Sequence, residues 1–139
     1  MPDATPSHHQ VRTGADTARA TEPANRSAQA DRAELLRDLN QELNQHQDYL
    51  RDLAERYNWW QSPEVALQFP ARLVVQVMNL GTFADISQLW RTFGDDCLRR
   101  VLESAEAGQL TPRSWHYWHY RLKNVSPGGV PPMPKRQIA

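Results

Sequence analysis

Six consecutive side chains, Trp115-His116-Tyr117-Trp118-His119-Tyr120, flanked by Arg113, Arg121 and Lys123, hold the densest chemistry of the chain. Rings interleaved with cations suit nucleic acid, because cations neutralise phosphates and flat rings stack on bases. They suit an acidic protein surface equally, since Tyr, Trp and Arg are common interface anchors. On a helix, Trp115, Trp118, His119 and Leu122 share one face at offsets 0, 3, 4 and 7. That face is expected to close a core, where large aromatic rings dominate the burial energy. The other side presents His116, Tyr120 and Lys123, with Arg113, Tyr117 and Arg121 alongside. These six, together with Lys135 and Arg136, are the expected partner-binding residues.

Other reactive groups point to less. His116 and His119 are close enough to share a metal, but three or four ligands are needed and no Cys or acid adjoins them. His8-His9 reads as an incidental pair. Cys97 stands near a helix start, where the dipole lowers a thiol pKa, yet Asp95 and Asp96 oppose that effect and the residue is expected to be buried and inert. Asp95 and Asp96 themselves read as helix caps. The chain contains no phosphate-binding Gly loop, nucleophile elbow, zinc helix or calcium loop. The residues therefore imply a non-enzymatic protein, with no catalytic residue, no metal and no cofactor.

The surrounding sequence must position these groups. A neutral total, 16 basic against 16 acidic residues, hides an uneven spread. Residues 31–57 are net −3, 58–108 are net −2, and 109–139 carry five bases and no acid. Residues 1–30 are rich in Ala, Thr, Pro, Ser and Asp, too poor in apolar groups to offset their ordering entropy, and read as a disordered leader. From 31 to 57 the residues Leu36, Leu39, Leu43, His46, Leu50, Leu53 and Tyr57 repeat at 3, 4, 3, 4, 3, 4, a heptad seam on one long helix. Leu36, Leu39, Leu43, Leu50 and Leu53 are the expected oligomerisation residues of a coiled-coil-like homodimer. The alternative is an amphipathic helix laid along its own domain.

Residues 58–124 read as a compact bundle of short capped helices. Ser62-Pro63-Glu64, Pro70, Thr82 with Asp85, Asp95 and Thr111-Pro112 open helices; Gly81, as a left-handed cap, Gly94 and Gly108 close them. Residues 125–139 form a Pro-rich tail, expected to be extended or disordered. The fold class is all-α. One cysteine, no apolar leader segment and no membrane-length apolar run place the protein in the cytoplasm.

Five blocks carry a resemblance: WWQSPEVAL (59–67), ARLVVQVMNLGTFADISQLW (71–90), FGDDCLRRVL (93–102), LTPRSWHYWHYRL (110–122) and PPMPKR (131–136). Together they resemble a family of small, largely uncharacterised bacterial proteins encoded beside AbiEii-type nucleotidyltransferase toxins and regarded as antitoxin components. The block around Pro112-Arg113-Ser114-Trp115 and the Pro-rich end are the most specific, and the likeness spans residues 59–136. It implies a cognate nucleotidyltransferase-type toxin as partner and hands over no catalytic residue. The residues alone leave a nucleic-acid-binding autoregulator as the other reading.

Overall fold

The structure, a computed structural model, describes residues 26–135. Most of the expected leader, including His8-His9, and Arg136 lie outside these residues. The chain divides into two units at Leu35/Leu36. Of the first, residues 26–35 are helical and exposed, so the end of the expected leader, 26–30, is helix. The second unit is all-helical, with no strand among the described residues. Its helices are α1 (36–43), α2 (Gln47–Tyr57), α3 (Pro63–Ala66), α4 (Pro70–Leu80), α5 (Phe83–Ser104, kinked at Gly94) and α6 (Pro112–Lys123).

The heptad seam folds inward. Leu39, Leu43, Leu50 and Leu53 are at most 3% exposed and belong to the chain's own core. Of the five expected oligomerisation residues only Leu36 is exposed, so the seam is occupied within the chain and its four inner leucines are out of reach of a second copy. The helix expected over 31–57 is also broken. Asn44–His46 tighten to a 3-10 turn, and His46, at φ −114° and ψ 50°, leaves helical space. Asn and His are modest helix formers, and the turn lets both halves of the seam meet one core. The break leaves Asn44 Oδ1 and the Tyr49 hydroxyl buried without a hydrogen-bond partner among the described residues. Burial, with Asp85 nearby, pushes the Tyr49 phenol up to about 12.

α4 is the central helix, with Pro70, Ala71, Leu73, Val74, Val75, Val77 and Met78 all buried. It packs against α2 and α5, and α5 in turn packs against α6. Helix ends leave orphan backbone groups, and here neighbouring helices supply the partners. Asn40 Oδ1 accepts the Ala71 N–H at 3.1 Å, and the Tyr57 hydroxyl oxygen accepts the Thr82 N–H at 3.3 Å. Asn79 Oδ1 accepts the Thr111 N–H at 3.0 Å, and Trp118 Nε1–H donates to the Met78 carbonyl at 2.9 Å. Arg99 donates through Nε and Nη2 to the Leu122 carbonyl at 3.0 and 2.9 Å.

The start of α5 gathers charge. Thr82 Oγ1 accepts the Asp85 N–H at 3.2 Å, as the spacing predicts. Asp85 also accepts from Arg56 Nη1 at 2.7 Å and from the Tyr57 hydroxyl. Arg56 first, then Tyr57, holds the Asp85 carboxyl below the usual range. Ser62 precedes α3 as expected but makes no side-chain cap bond.

Two punctuation readings change. Gly81 is not left-handed (φ −65°, ψ 149°). It is small because a Cβ there would sit 2.5 Å from the Val77 carbonyl oxygen and 3.1 Å from Ile86 Cγ1. The left-handed break is at Gly94, φ 83°, and beside it Asp95 accepts from Trp90 Nε1–H. The helix after Gly94 stops at Ser104 rather than running to Gly108, which takes φ 82° in the turn leading to α6. The Pro-rich tail is ordered as far as it is described. Pro127–Gly129 form a 3-10 turn, Val130 and Met133 pack on the core, and the Pro131 carbonyl accepts from Trp115 Nε1–H at 2.8 Å.

Two substitutions test this packing by urea unfolding. Leu43→Ala should cost about 3 kcal/mol even in dilute protein, the ordinary loss for a fully buried leucine. Gly81→Ala should cost about 2 kcal/mol by overpacking. Gly128→Ala, where a Cβ meets nothing within 4 Å, should change little.

Candidate functional site

α6 starts where the sequence predicts. Pro112 occupies the first turn, where its missing N–H costs nothing, and Thr111 Oγ1 accepts the Ser114 N–H at 3.2 Å. Its inner face is the expected one: Trp115, Trp118, His119 and Leu122 are buried. Trp118 lies 5.4 Å from Trp90, and Trp115 lies 4.2 Å from His119 between ring centroids. His119 Nδ1–H donates to the Trp115 carbonyl at 2.8 Å. Burial, as the largest cause, lowers the His119 pKa and favours the neutral ring.

The outer face carries the rest of the motif. Arg113, His116 and Arg121 are exposed, and Tyr117 and Tyr120 are 45% and 39% exposed. His116 donates from Nδ1 to the Pro112 carbonyl at 2.8 Å and lies 6.1 Å from the Tyr120 ring. Tyr117 meets Trp118 edge-on at 5.2 Å. The Arg121 guanidinium sits 5.3 Å above the Trp90 ring, a stacked arrangement that keeps its N–H fork available. Arg113, Arg121 and Lys135 make no ion pair among the described residues, whereas Arg51, Arg72, Arg99 and Arg100 each have one and Arg56 has two. Lys123 differs from its companions. It is half-buried and lies 3.5 Å from Glu103, so its charge is already answered.

α6 thus brings Arg113, His116, Tyr117, Tyr120 and Arg121 together on one helix surface. Lys135 is exposed on the tail, and Arg136 lies outside the described residues. The two histidines are separated, His119 inward and His116 outward, and among the described residues no group of three or more metal-ligating side chains is placed to hold an ion. Cys97 is buried, and burial together with Glu42 pushes its thiol up to about 12, far from the thiolate a nucleophile requires. Among the described residues no helix is long and apolar enough to cross a membrane.

A second exposed aromatic group has no counterpart among the expected site residues. Trp59 and Trp60, 76% and 57% exposed, meet edge-on at 5.9 Å. Trp60 lines a cleft of about 240 Å³ with Asn58, Gln61, Ala66, Phe69, Arg72, Leu73, Gln76 and Gln109. The signal was the Trp-Trp pair itself, placed between a helix end and Ser62-Pro63, where no helical period buries both rings.

No protein-family model, curated protein or solved structure matches the chain.

His119 gives the buried face a pH signature. A base whose folded pKa is depressed takes up its proton more readily when unfolded. Unfolding free energy should therefore be at its full value above about pH 6.5, the ordinary imidazole pKa, and fall as pH drops below it. Chemical denaturation at pH 7.5 and 5.5 should show that decline, and His119→Gln should flatten it.

Proposed function

We propose that this protein is a non-enzymatic interaction protein that grips a macromolecular partner with the outer face of α6. The observation that carries the reading is the combination on that face. Arg113 and Arg121 have no acid partner among the described residues, and both stand on the same helix as Tyr117 and Tyr120, two rings left open to solvent. Interfaces favour such residues, because Tyr adds contact area with few torsions to freeze and Arg adds a planar fork of directed hydrogen bonds. The chemistry of the face calls for an acidic surface able to accept from guanidinium groups.

The partner we assign is a cognate nucleotidyltransferase-type toxin, with the protein acting as its antitoxin-like counterpart. Support for that assignment comes from the resemblance of residues 59–136, whose most specific block, around Pro112-Arg113-Ser114-Trp115, opens this helix. The nucleic-acid reading keeps one observation of its own, the five bases and no acid from 109 to 139. Its mark would be an affinity that falls steeply with salt, as released counterions require.

Tagged protein mixed with the toxin encoded beside it should co-purify as a complex. Arg121→Glu and Tyr117→Ala should each weaken that complex roughly ten-fold, the usual loss at an interface anchor. Absence of a complex removes the toxin assignment. Unchanged affinity in both variants removes α6 as the contact face, and steeply salt-dependent binding to the gene's own promoter DNA would favour the autoregulator.

A further inference from the structure

We propose that the cleft beside α3 and α4 is a second binding site, independent of α6, and that it seats a proline-rich segment of another protein in the polyproline II conformation. The tryptophans separate into two groups. Trp90, Trp115 and Trp118 each donate their indole N–H, to Asp95, to the Pro131 carbonyl and to the Met78 carbonyl respectively. Trp59 and Trp60 donate to nothing among the described residues and are the most exposed of the five. Trp60 lines the cleft with Phe69, itself 46% exposed, and meets Trp59 edge-on; rings this exposed contribute little to the core and mark a surface built for contact.

The lining selects the ligand. Four of the nine lining residues are amides: Asn58, Gln61, Gln76 and Gln109. Asn58 donates to Gln61 Oε1 at 2.9 Å, which leaves the Gln61 NH₂ to donate outward. Gln109 Oε1 accepts the Glu106 N–H at 2.6 Å, which leaves the Gln109 NH₂ equally available. The cleft therefore offers rings and N–H donors. A polyproline II strand offers the complement, because its carbonyls have no internal partner and its prolines bring flat apolar rings and no N–H.

Other ligands fit less well. Arg72 is the one charged residue of the lining; it sits 4.7 Å above the Phe69 ring and is bound to Glu106 at 3.0 Å. The cleft thus has no free positive charge to meet a phosphate, which disfavours a nucleotide, and a guanidinium on the ring disfavours a cationic ligand. Its 240 Å³ also falls below the roughly 300–1,000 Å³ of sites that engulf a small molecule, as expected where a strand lies across rather than inside. The chain itself shows the pairing: its Pro-rich tail is held by an indole N–H on a proline carbonyl, Trp115 to Pro131.

The test is an array of decapeptides with prolines at Pro-x-x-Pro spacing and the other positions varied, probed with the full chain. The tightest binder is then titrated in solution. Saturable binding is expected, with at least a ten-fold loss in Trp60→Ala, as for a truncated tryptophan anchor. Gln76→Glu removes no packing, sets a carboxylate against the ligand's carbonyls, and should weaken binding in the same direction. Replacing the peptide's prolines by alanine should abolish binding. Arg121→Glu should leave it unchanged, which separates this site from the α6 face. The proposal is overturned if no array peptide binds saturably, if binding survives both cleft substitutions, or if adenosine monophosphate saturates the cleft and is lost with Trp60→Ala.

Discussion

The structure depends on helix ends being completed by other helices. A helix of eleven or twelve residues leaves a large share of its backbone N–H and C=O groups without intrahelical partners, and buried ones are costly. In this chain Asn40, Tyr57, Asn79, Trp118 and Arg99 each reach across to an end that is not their own. Apolar burial alone would let short helices slide along one another. These bonds set their relative height, and those made by Asn79 and Arg99 hold opposite ends of α6, the helix that carries the proposed contact face.

Much of this was legible from residue spacing. The period of Trp115, Trp118, His119 and Leu122 correctly separated a buried face from a wet one, because offsets of three and four leave little choice on a helix of that length. Pro63, Pro70 and Pro112 opened helices for local steric reasons, and Thr82 by a local cap bond to Asp85 N–H. The heptad seam shows where periodicity stops. It reports that Leu39, Leu43, Leu50 and Leu53 share a face but says nothing about what covers them, and the turn at Asn44–His46 lets the chain cover them itself. Gly81 was identified by type and misread by reason, since the approach of a Cβ to the Val77 carbonyl of its own helix follows from its extended backbone, and the approach to Ile86 from the next helix, neither of which the residue type reveals.

The candidate sites divide in the same way. The outer face of α6 follows from one helix's own geometry and was read from spacing for Arg113, His116, Tyr117, Tyr120 and Arg121, but not for Lys123, which Glu103 on another helix draws in. The cleft draws on Asn58 to Gln76 and on Gln109, a residue more than thirty positions further along, so no local pattern could assemble it. The tail was read as extended or disordered; after the 3-10 turn at Pro127–Gly129 it has no regular structure as far as it is described, and the indole of Trp115, which no local pattern links to it, gives it a fixed seat. The two surfaces differ in character. One is cationic, and the other is neutral and donor-rich.

The buried thiol of Cys97 has a practical consequence. It is the single cysteine of the chain, and it sits against α1, where Glu42 both raises its pKa and pairs with Arg100. An alkylating reagent can reach it only when the core around it opens, because burial keeps the sulfur away from solvent and protonated. The native molecule therefore carries its own chemical clock. The rate at which that one sulfur is labelled counts how often the core around it opens to solvent.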